Sequence, residues 1–255
     1  MTDAKLEGEV GAEVHGAIAV VRFAHPKSNS LPGALLRKIA AEIDDVARNS
    51  GVKMIVLRSA GDGAFCAGAS FDELKAVKDA SSGREFFLGF AKVILAMTRA
   101  PQFVVCRVQG KVTGGGVGLV AASDYAIAVK GASLKLSELA LGLGPFVIGP
   151  VVERRVGPGP FTDLAIDAEW RDADWGERHG MYSKVVGDVK EMDQALEKLA
   201  AFIESANPEA IRQMKKVFWA DTDHWPDLLE KRAAISGALA LSPHTRAAIE
   251  GVGKR

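Results

Sequence analysis

Cysteine is scarce in this sequence. Only Cys66 and Cys106 occur among its 255 residues, and two widely separated cysteines provide neither a disulfide framework nor a CxxC metal or redox motif. So little cysteine is typical of a reduced, intracellular setting, and we expect the protein to be soluble and cytoplasmic. The first residues lack the basic and apolar stretches of a secretory signal peptide, so none is expected.

An excess of charge and a long apolar run are also missing. Lysine plus arginine and aspartate plus glutamate both number 32, and this zero net charge argues against a nucleic-acid partner. The longest uncharged apolar run, residues 139–152, is too short and too rich in glycine and proline to span a bilayer. We therefore expect no membrane partner. Hydrophobic residues still make up 48% of the chain, enough for the core of one large domain.

Several motifs of cofactor, metal and nucleophile sites are absent as well. No GxGxxG follows a predicted strand, and Gly110-Lys111 lacks the remainder of a phosphate loop. The five histidines are scattered and form no HExxH, so no metal site is expected. No GxSxG nucleophile elbow occurs. The remaining alternatives are an enzyme without a metal or organic cofactor and a protein without catalytic activity.

The first part of the chain alternates predicted strands with predicted helices. Residues 17–23 and 53–58 have the pattern of strands, and the apolar positions of residues 33–49 between them recur at helical spacing. Gly51 is the predicted C-cap of that helix. The order strand, helix, strand predicts a parallel pair joined by a crossover. Further helices are predicted at residues 71–78, 84–99 and 114–123, and further strands at residues 103–108, 125–129 and 133–136.

The last part of the chain has a different character. Residues 190–205, 208–219 and 225–241 are helical by their apolar period, and no strand is predicted after them. Such a segment either covers the core or forms a subunit interface. We therefore divide the chain into an α/β core at residues 1–190 and a helical segment at residues 191–255.

Two loops of small residues each precede a predicted helix. These are FCAGASF at residues 65–71 and GGGVG at residues 114–118. Backbone N–H groups at a helix start lack partners inside the helix and favour negative charge. Two such groups from separate loops would form an oxyanion hole. The alternative for each loop alone is that its glycines permit a tight turn or close packing.

A third segment, SLKLSELALG at residues 133–142, carries Glu138 between apolar neighbours at the end of a predicted strand. Partial desolvation there would raise the pKa of the carboxyl group toward the range of a general base. The alternative is an ordinary acidic residue at a helix start or on the surface.

Five segments in this order resemble the enoyl-CoA hydratase/isomerase (crotonase) superfamily over nearly the whole chain. They are PKSNSL at 26–31, FCAGA at 65–69, GGG at 114–116, DY at 124–125 and SELALG at 137–142. The resemblance implies an α/β, crotonase-like spiral of ββα turns with a C-terminal helical trimerisation segment. It also implies a homotrimer or homohexamer that acts on an acyl-CoA thioester, with coenzyme A entering as part of the substrate and no other cofactor.

The resemblance also implies roles for individual residues. The backbone N–H groups of Ala69 and Gly115 would hold the thioester oxygen, and Glu138 would move the proton. The implied substrate-binding residues are Lys27, Asn29, Ala67, Gly68, Gly114, Gly118 and Phe146, the last as a wall of the acyl pocket. Basic residues of the C-terminal helices, among them Lys215, are candidates to reach a CoA phosphate of a neighbouring subunit.

The sequence departs from the hydratases of this family at one catalytic position. Those enzymes use two glutamates about twenty residues apart, and the position of the first is occupied here by Gly118. Members with a single glutamate resemble enoyl-CoA isomerases, so double-bond isomerisation is favoured. A hydratase that uses Glu138 alone with a water, or together with an acid such as Asp72 or Glu73, is the second alternative. A silent CoA-ester-binding protein is the third. The acyl group and the pathway, whether fatty-acid, amino-acid or aromatic degradation, stay open.

Overall fold

The fold is built on two β-sheets with helices on both sides. The computed structural model describes residues 8–252. A six-stranded sheet has the order β1-β2-β3-β4-β6-β9, and a three-stranded sheet has the order β5-β7-β8. The strands are β1 (Glu9–His15), β2 (Ile18–Ala24), β3 (Met54–Ser59), β4 (Phe103–Val108), β5 (Val112–Thr113), β6 (Tyr125–Val129), β7 (Ser133–Lys135), β8 (Arg171–Asp172) and β9 (Lys184–Val186).

Eleven helices lie within the part of the chain that the structure describes. They are α1 (Gly33–Ala47), α2 (Phe71–Ala76), α3 (Ala80–Arg99), α4 (Gly115–Ala121), α5 (Gly149–Val156), α6 (Pro158–Asp167), α7 (Ala173–Arg178), α8 (Val189–Ser205), α9 (Pro208–Phe218), α10 (Trp225–Ala240) and α11 (Pro243–Val252). A 3₁₀ turn, Leu139–Leu141, lies between β7 and α5. None of these helices is long and apolar enough to cross a membrane.

The predicted parallel unit β2–α1–β3 is confirmed. In the six-stranded sheet, strands β2, β3, β4, β6 and β9 run parallel and β1 pairs antiparallel with β2. In the three-stranded sheet β5 and β7 are parallel, and β7 and β8 are antiparallel. Helix α1 buries the predicted apolar stripe, which includes Leu36 and Ile39. The predicted C-cap at Gly51 is wrong, because α1 ends at Ala47. Its cap, Arg48, keeps a right-handed conformation that requires no glycine.

Several elements between residues 149 and 252 were not predicted. Strands β8 and β9 have only two and three residues, too few for an alternating pattern to be recognised. Helices α5 and α6 lie in a stretch rich in glycine and proline, but each has a proline in its first turn, where no N–H partner is needed.

Helix α3 starts at Ala80, earlier than predicted, because Asp79 and Ser82 form a capping box.

The helices after β9 cover the core of the same chain. Helix α8 packs on one sheet face, where Ile203 belongs to the same buried cluster as Val56 and Val105. Helix α10 lies along α3, and their backbones approach so closely that a Cβ atom on Gly83 would be 2.8 Å from the Cα atom of Gly237. The covering role is therefore confirmed for α8 and α10, whereas trimerisation through residues 191–255 stays a prediction.

A buried ion pair fastens α9 to the core. Lys215 and Asp124 side chains are 3% and 4% exposed, and the Lys215 ammonium donates to Asp124 Oδ2 and, at 2.8 Å, to the Met97 carbonyl. Asp124 also accepts from Trp219 Nε1 at 2.7 Å and from the Val104 N–H at 2.7 Å. Burial lowers the pKa of Lys215. The expectation that Lys215 reaches a CoA phosphate is wrong, because its charge is neutralised inside the protein.

We predict that Lys215→Met lowers the free energy of unfolding by about 3–5 kcal/mol, since it leaves the Asp124 carboxylate buried without its cation. Lys216→Met, at the exposed neighbouring position, is the matched control and should change stability by less than about 0.5 kcal/mol. Urea denaturation of both variants measures the difference. Equal stabilities of the two variants would show that the ion pair does not hold α9.

Candidate active site

A pocket opens where both small-residue loops meet the segment after β7. Its lining comes from residues 67–69, α2, α3, residues 114–115, residues 137–148 and α10. The walls are mainly apolar and include five phenylalanine rings, those of Phe71, Phe86, Phe87, Phe90 and Phe146. A concave apolar site with few polar groups is typical of a small-molecule binding site.

The first loop is held from both sides by backbone hydrogen bonds. On one side the Thr113 N–H donates to the Cys66 carbonyl at 2.9 Å. On the other side Leu31 pairs with Ala69 in a short parallel bridge, through bonds to Gly68 (2.8 Å) and Ser70 (3.3 Å). In a parallel bridge the flanking residues make the bonds, so the N–H of the bridged residue points the other way. The Ala69 N–H therefore turns away from Leu31, at a position that lines the pocket.

The second loop approaches the first one closely. A Cβ atom on Gly68, whose φ is +84°, would lie 2.9 Å from the Thr113 carbonyl oxygen and 3.7 Å from the Gly115 nitrogen. Gly115 in turn leaves no room for a side chain, since its Cβ would fall 2.3 Å from the Phe90 ring. Within residues 8–252, neither Ala69 nor Gly115 donates its N–H to another group. The two amides thus occupy adjoining positions at the pocket wall without partners.

Glu138 places a desolvated carboxyl group beside this wall. It follows β7 and begins the 3₁₀ turn, and its Oε1 lies 3.2 Å from the position of a Cβ on Gly114. Oε2 is inaccessible and has no hydrogen-bond partner among the described residues. Burial raises the pKa of Glu138 to about 7, although the N–H groups of Glu138 and Ser137 oppose the rise. Near neutral pH the group can therefore both accept and release a proton.

The C-terminal helix α11 fixes the segment that carries Glu138. The Leu143 N–H donates to the Glu138 carbonyl at 2.9 Å, and Gly142 adopts a left-handed conformation between them. Thr245 Oγ1 from α11 then donates to the Gly142 carbonyl at 2.9 Å. Helix α11 lies beyond the last helix predicted from the sequence, at residues 225–241, and no motif near Thr245 marks this contact. The orientation of Glu138 thus depends on residues more than a hundred positions away.

Most of the predicted site residues meet in the pocket. Its lining includes Ala67, Gly68, Ala69, Gly114, Gly115, Glu138 and Phe146. Lys27 lies outside this lining, on the surface, in an ion pair with Asp72. Asn29 also lies outside, and its side-chain amide donates to the Ala60 and Ala64 carbonyls at 3.0 and 2.9 Å. Asn29 therefore ties its loop to the loop after β3, and contacts of Lys27 and Asn29 with CoA stay predictions.

Gly118 lies outside the pocket lining, and neighbouring side chains fill the space next to it. A Cβ atom there would be 2.4 Å from Ile148 Cγ2, so a glutamate does not fit beside Ile148. The other candidate acids lie elsewhere, because Asp72 is paired with Lys27 and Glu73 accepts the Gly33 N–H at 2.7 Å. Among the described residues that line the pocket, Glu138 is the only acid. Nor do any three His, Cys, Asp or Glu of residues 8–252 group closely enough to hold a metal ion.

We predict that Gly68→Ala destabilises the protein by about 1–3 kcal/mol, because alanine resists the left-handed conformation and its methyl group would meet the Thr113 carbonyl. The control is Gly63→Ala, at a glycine with open space around it, for which we expect a change below about 0.5 kcal/mol. Thermal unfolding of both variants gives the comparison. If Gly68→Ala were as stable as the control, the close contact between the loops would be disproved.

Comparison with known proteins gives a consistent assignment. A family model described as Enoyl-CoA hydratase/isomerase matches residues 13–252. The short-chain-enoyl-CoA hydratase of Clostridium acetobutylicum is 31% identical over 206 residues, covering 80% of this chain and 78% of that protein. The carnitinyl-CoA dehydratase of Citrobacter koseri is 28% identical over 250 residues, covering 93% and 91%.

The same architecture occurs among solved structures. An enoyl-CoA hydratase from Bacillus halodurans superposes with a TM-score of 0.88 over 95% of this chain and 99% of that chain. At 18% identity this likeness shows the shared fold alone. The family model, in contrast, spans nearly the whole sequence, both glycine loops and Glu138 included. The chain therefore belongs to the enoyl-CoA hydratase/isomerase family, the crotonase superfamily.

Proposed function

We propose that this protein is an acyl-CoA enzyme in which Glu138 is the single acid and base and double-bond isomerisation is the favoured reaction. The observation that carries the proposal is one desolvated carboxyl group beside two amides without partners, those of Ala69 and Gly115. Coenzyme A enters as part of the substrate.

The proposed reaction moves one proton along the acyl chain. Glu138 removes a proton from C2 of a 3-enoyl thioester, and the electron pair of the broken C–H bond shifts through C1 onto the thioester oxygen. The resulting dienolate is held by the N–H groups of Ala69 and Gly115. Glu138 then returns the proton to C4, which leaves a double bond between C2 and C3. Each amide of such a pair contributes about 3–4 kcal/mol to stabilising the developing charge.

The single acid favours isomerisation over hydration. Addition of water requires one group to hold the water at C3 while a proton reaches C2, and the first glutamate of the two-acid hydratases is replaced here by Gly118. Ile148 packs where that side chain would start, and neither Asp72 nor Glu73 lines the pocket. The hydratase names of the relatives support a second candidate, a hydratase in which Glu138 alone activates the water.

Incubation with 2-enoyl- and 3-enoyl-CoA, following the absorbance of the conjugated thioester, separates these candidates. Interconversion of the two substrates without uptake of solvent oxygen is the expected result. Loss of the 2-enoyl chromophore with incorporation of water would instead favour the hydratase. Binding of both thioesters without any turnover would favour a CoA-ester-binding protein.

We predict that Glu138→Gln lowers kcat about 10²- to 10⁴-fold while acyl-CoA binding changes little, because the amide keeps the shape but cannot take up the proton. Steady-state kinetics and calorimetric titration measure the two effects. The control is Glu85→Gln, at an exposed carboxylate outside the pocket lining, which should leave both unchanged. Full activity of the Glu138 variant would reject the assignment.

The raised pKa of Glu138 also predicts the pH dependence. The base must be ionised, and burial moves its pKa from 4.5 to about 7. The rate constant kcat/KM should therefore increase with pH, reach half its maximum near pH 7 and level off above it. The residual activity of Glu138→Gln should lack this inflection. A profile that is already flat at pH 5 would mean that the carboxyl group is not desolvated in the working enzyme.

We further propose that the protein assembles as a homotrimer or homohexamer. Large apolar side chains that remain exposed on one chain support self-association, among them Ile166, Phe202 and Val217. The molar mass in solution is the quantity that distinguishes the two assemblies from a monomer.

A further inference from the structure

Helix α10 contributes a buried hydroxyl group to the pocket that the proposed reaction does not use. Ser236 lines the pocket and is only 1% exposed. A serine inside a helix often donates to the carbonyl four residues earlier, but the Ser236 hydroxyl makes no hydrogen bond to any residue between 8 and 252. The hydroxyl oxygen is open to the pocket rather than fully enclosed. An apolar ligand that displaced water from it would leave it without a partner, at a cost in free energy, whereas a ligand that supplies a partner would be favoured there.

The packing of α10 on α3 locates Ser236 relative to the reacting centre. Beside Ser236, Gly237 contacts Gly83 near the start of α3. Phe90, also on α3, lies at the end of the pocket where the Ala69 and Gly115 amides are, because its ring lies against Gly115. Gly83 and Phe90 are two helical turns apart, which corresponds to about 10 Å. Ser236 is therefore placed well away from the thioester position, toward the remote part of an acyl group.

The pocket between these two ends is apolar. Phe86 and Phe87 line it from α3, and Leu74 lines it from α2. No lysine, arginine or histidine is among the lining residues. A charged group at the remote end would be buried without a counter-ion, at a large cost in free energy. An uncharged oxygen, in contrast, would need only the one partner that Ser236 offers.

We propose that Ser236 is a specificity-determining residue that binds an uncharged oxygen, a hydroxyl or a carbonyl, carried by the acyl group far from its thioester. The inference rests on the proposed function, because it takes the pocket as an acyl-CoA site. It adds a substrate class, namely acyl-CoA thioesters with a remote oxygen substituent. The contrasting explanation is that a small residue is needed where the two helices cross, and alanine would satisfy that need equally well.

Binding of unreactive CoA thioethers to the full-length protein tests this inference. The ligands are a series of increasing chain length, each member with and without a terminal hydroxyl group. For wild-type protein we expect one chain length at which the hydroxylated ligand binds about 3- to 10-fold more tightly than its parent, the ratio that one hydrogen bond provides. Ser236→Ala should bind both ligands of that pair equally, with unchanged affinity for the parent.

Ser81→Ala, at an exposed serine of α3 outside the pocket lining, is the control and should keep the preference. Equal binding of hydroxylated and parent ligands by wild-type protein at every length would overturn the inference, and so would a preference that survives in Ser236→Ala. Because the assay measures binding, it does not depend on turnover. If the protein shows the expected preference but converts no enoyl-CoA, the result supports the Ser236 subsite and rejects the proposed reaction.

Discussion

The contact between two glycine-bearing loops is the constraint on which the site depends. Gly68 lies against the Thr113 carbonyl and Gly115 lies against the Phe90 ring, and in both places a single methyl group would be too large. Because the backbones meet so closely, two amides from segments about 45 positions apart in sequence adjoin the same pocket. Strand pairing supports this contact from both sides, through Leu31 and through β5. These short strand pairings therefore hold the two glycine-bearing loops against each other.

A carboxyl group beside these amides can act only if water is kept away from it. The apolar walls accomplish this, and burial raises the pKa of Glu138 to about 7. The C-terminal helices contribute to this enclosure. Helix α10 lines one side of the pocket, and Thr245 of α11 holds the turn after Glu138. The buried pair of Asp124 and Lys215 anchors α9 on the way to them. Residues outside the pocket lining thus help to fix the environment of Glu138.

Apolar period predicted the parallel unit around α1, because its pattern depends on neighbouring residues. The order of the motifs and their resemblance to the family predicted that both glycine loops and Glu138 belong to one site, and the structure brings them together in one pocket. Their catalytic roles stay predictions. Sequence patterns did not predict the features that depend on tertiary contacts. Gly51 has the residue type of a cap but lies beyond the helix end. The hydrogen bonds of the Asn29 side chain to two distant carbonyls likewise have no local signal. Ser236 carries no local signal at all, since only the crossing of α10 with α3 brings its hydroxyl group to the pocket.

The most direct test of the central claim is a crystal structure of the protein with a bound acyl-CoA thioester or enolate analogue. The account predicts that the thioester oxygen lies about 2.7–3.1 Å from the nitrogens of both Ala69 and Gly115, with the Glu138 carboxyl group facing C2. A thioester oxygen that contacts neither amide, or a ligand whose C2 faces away from Glu138, would contradict it.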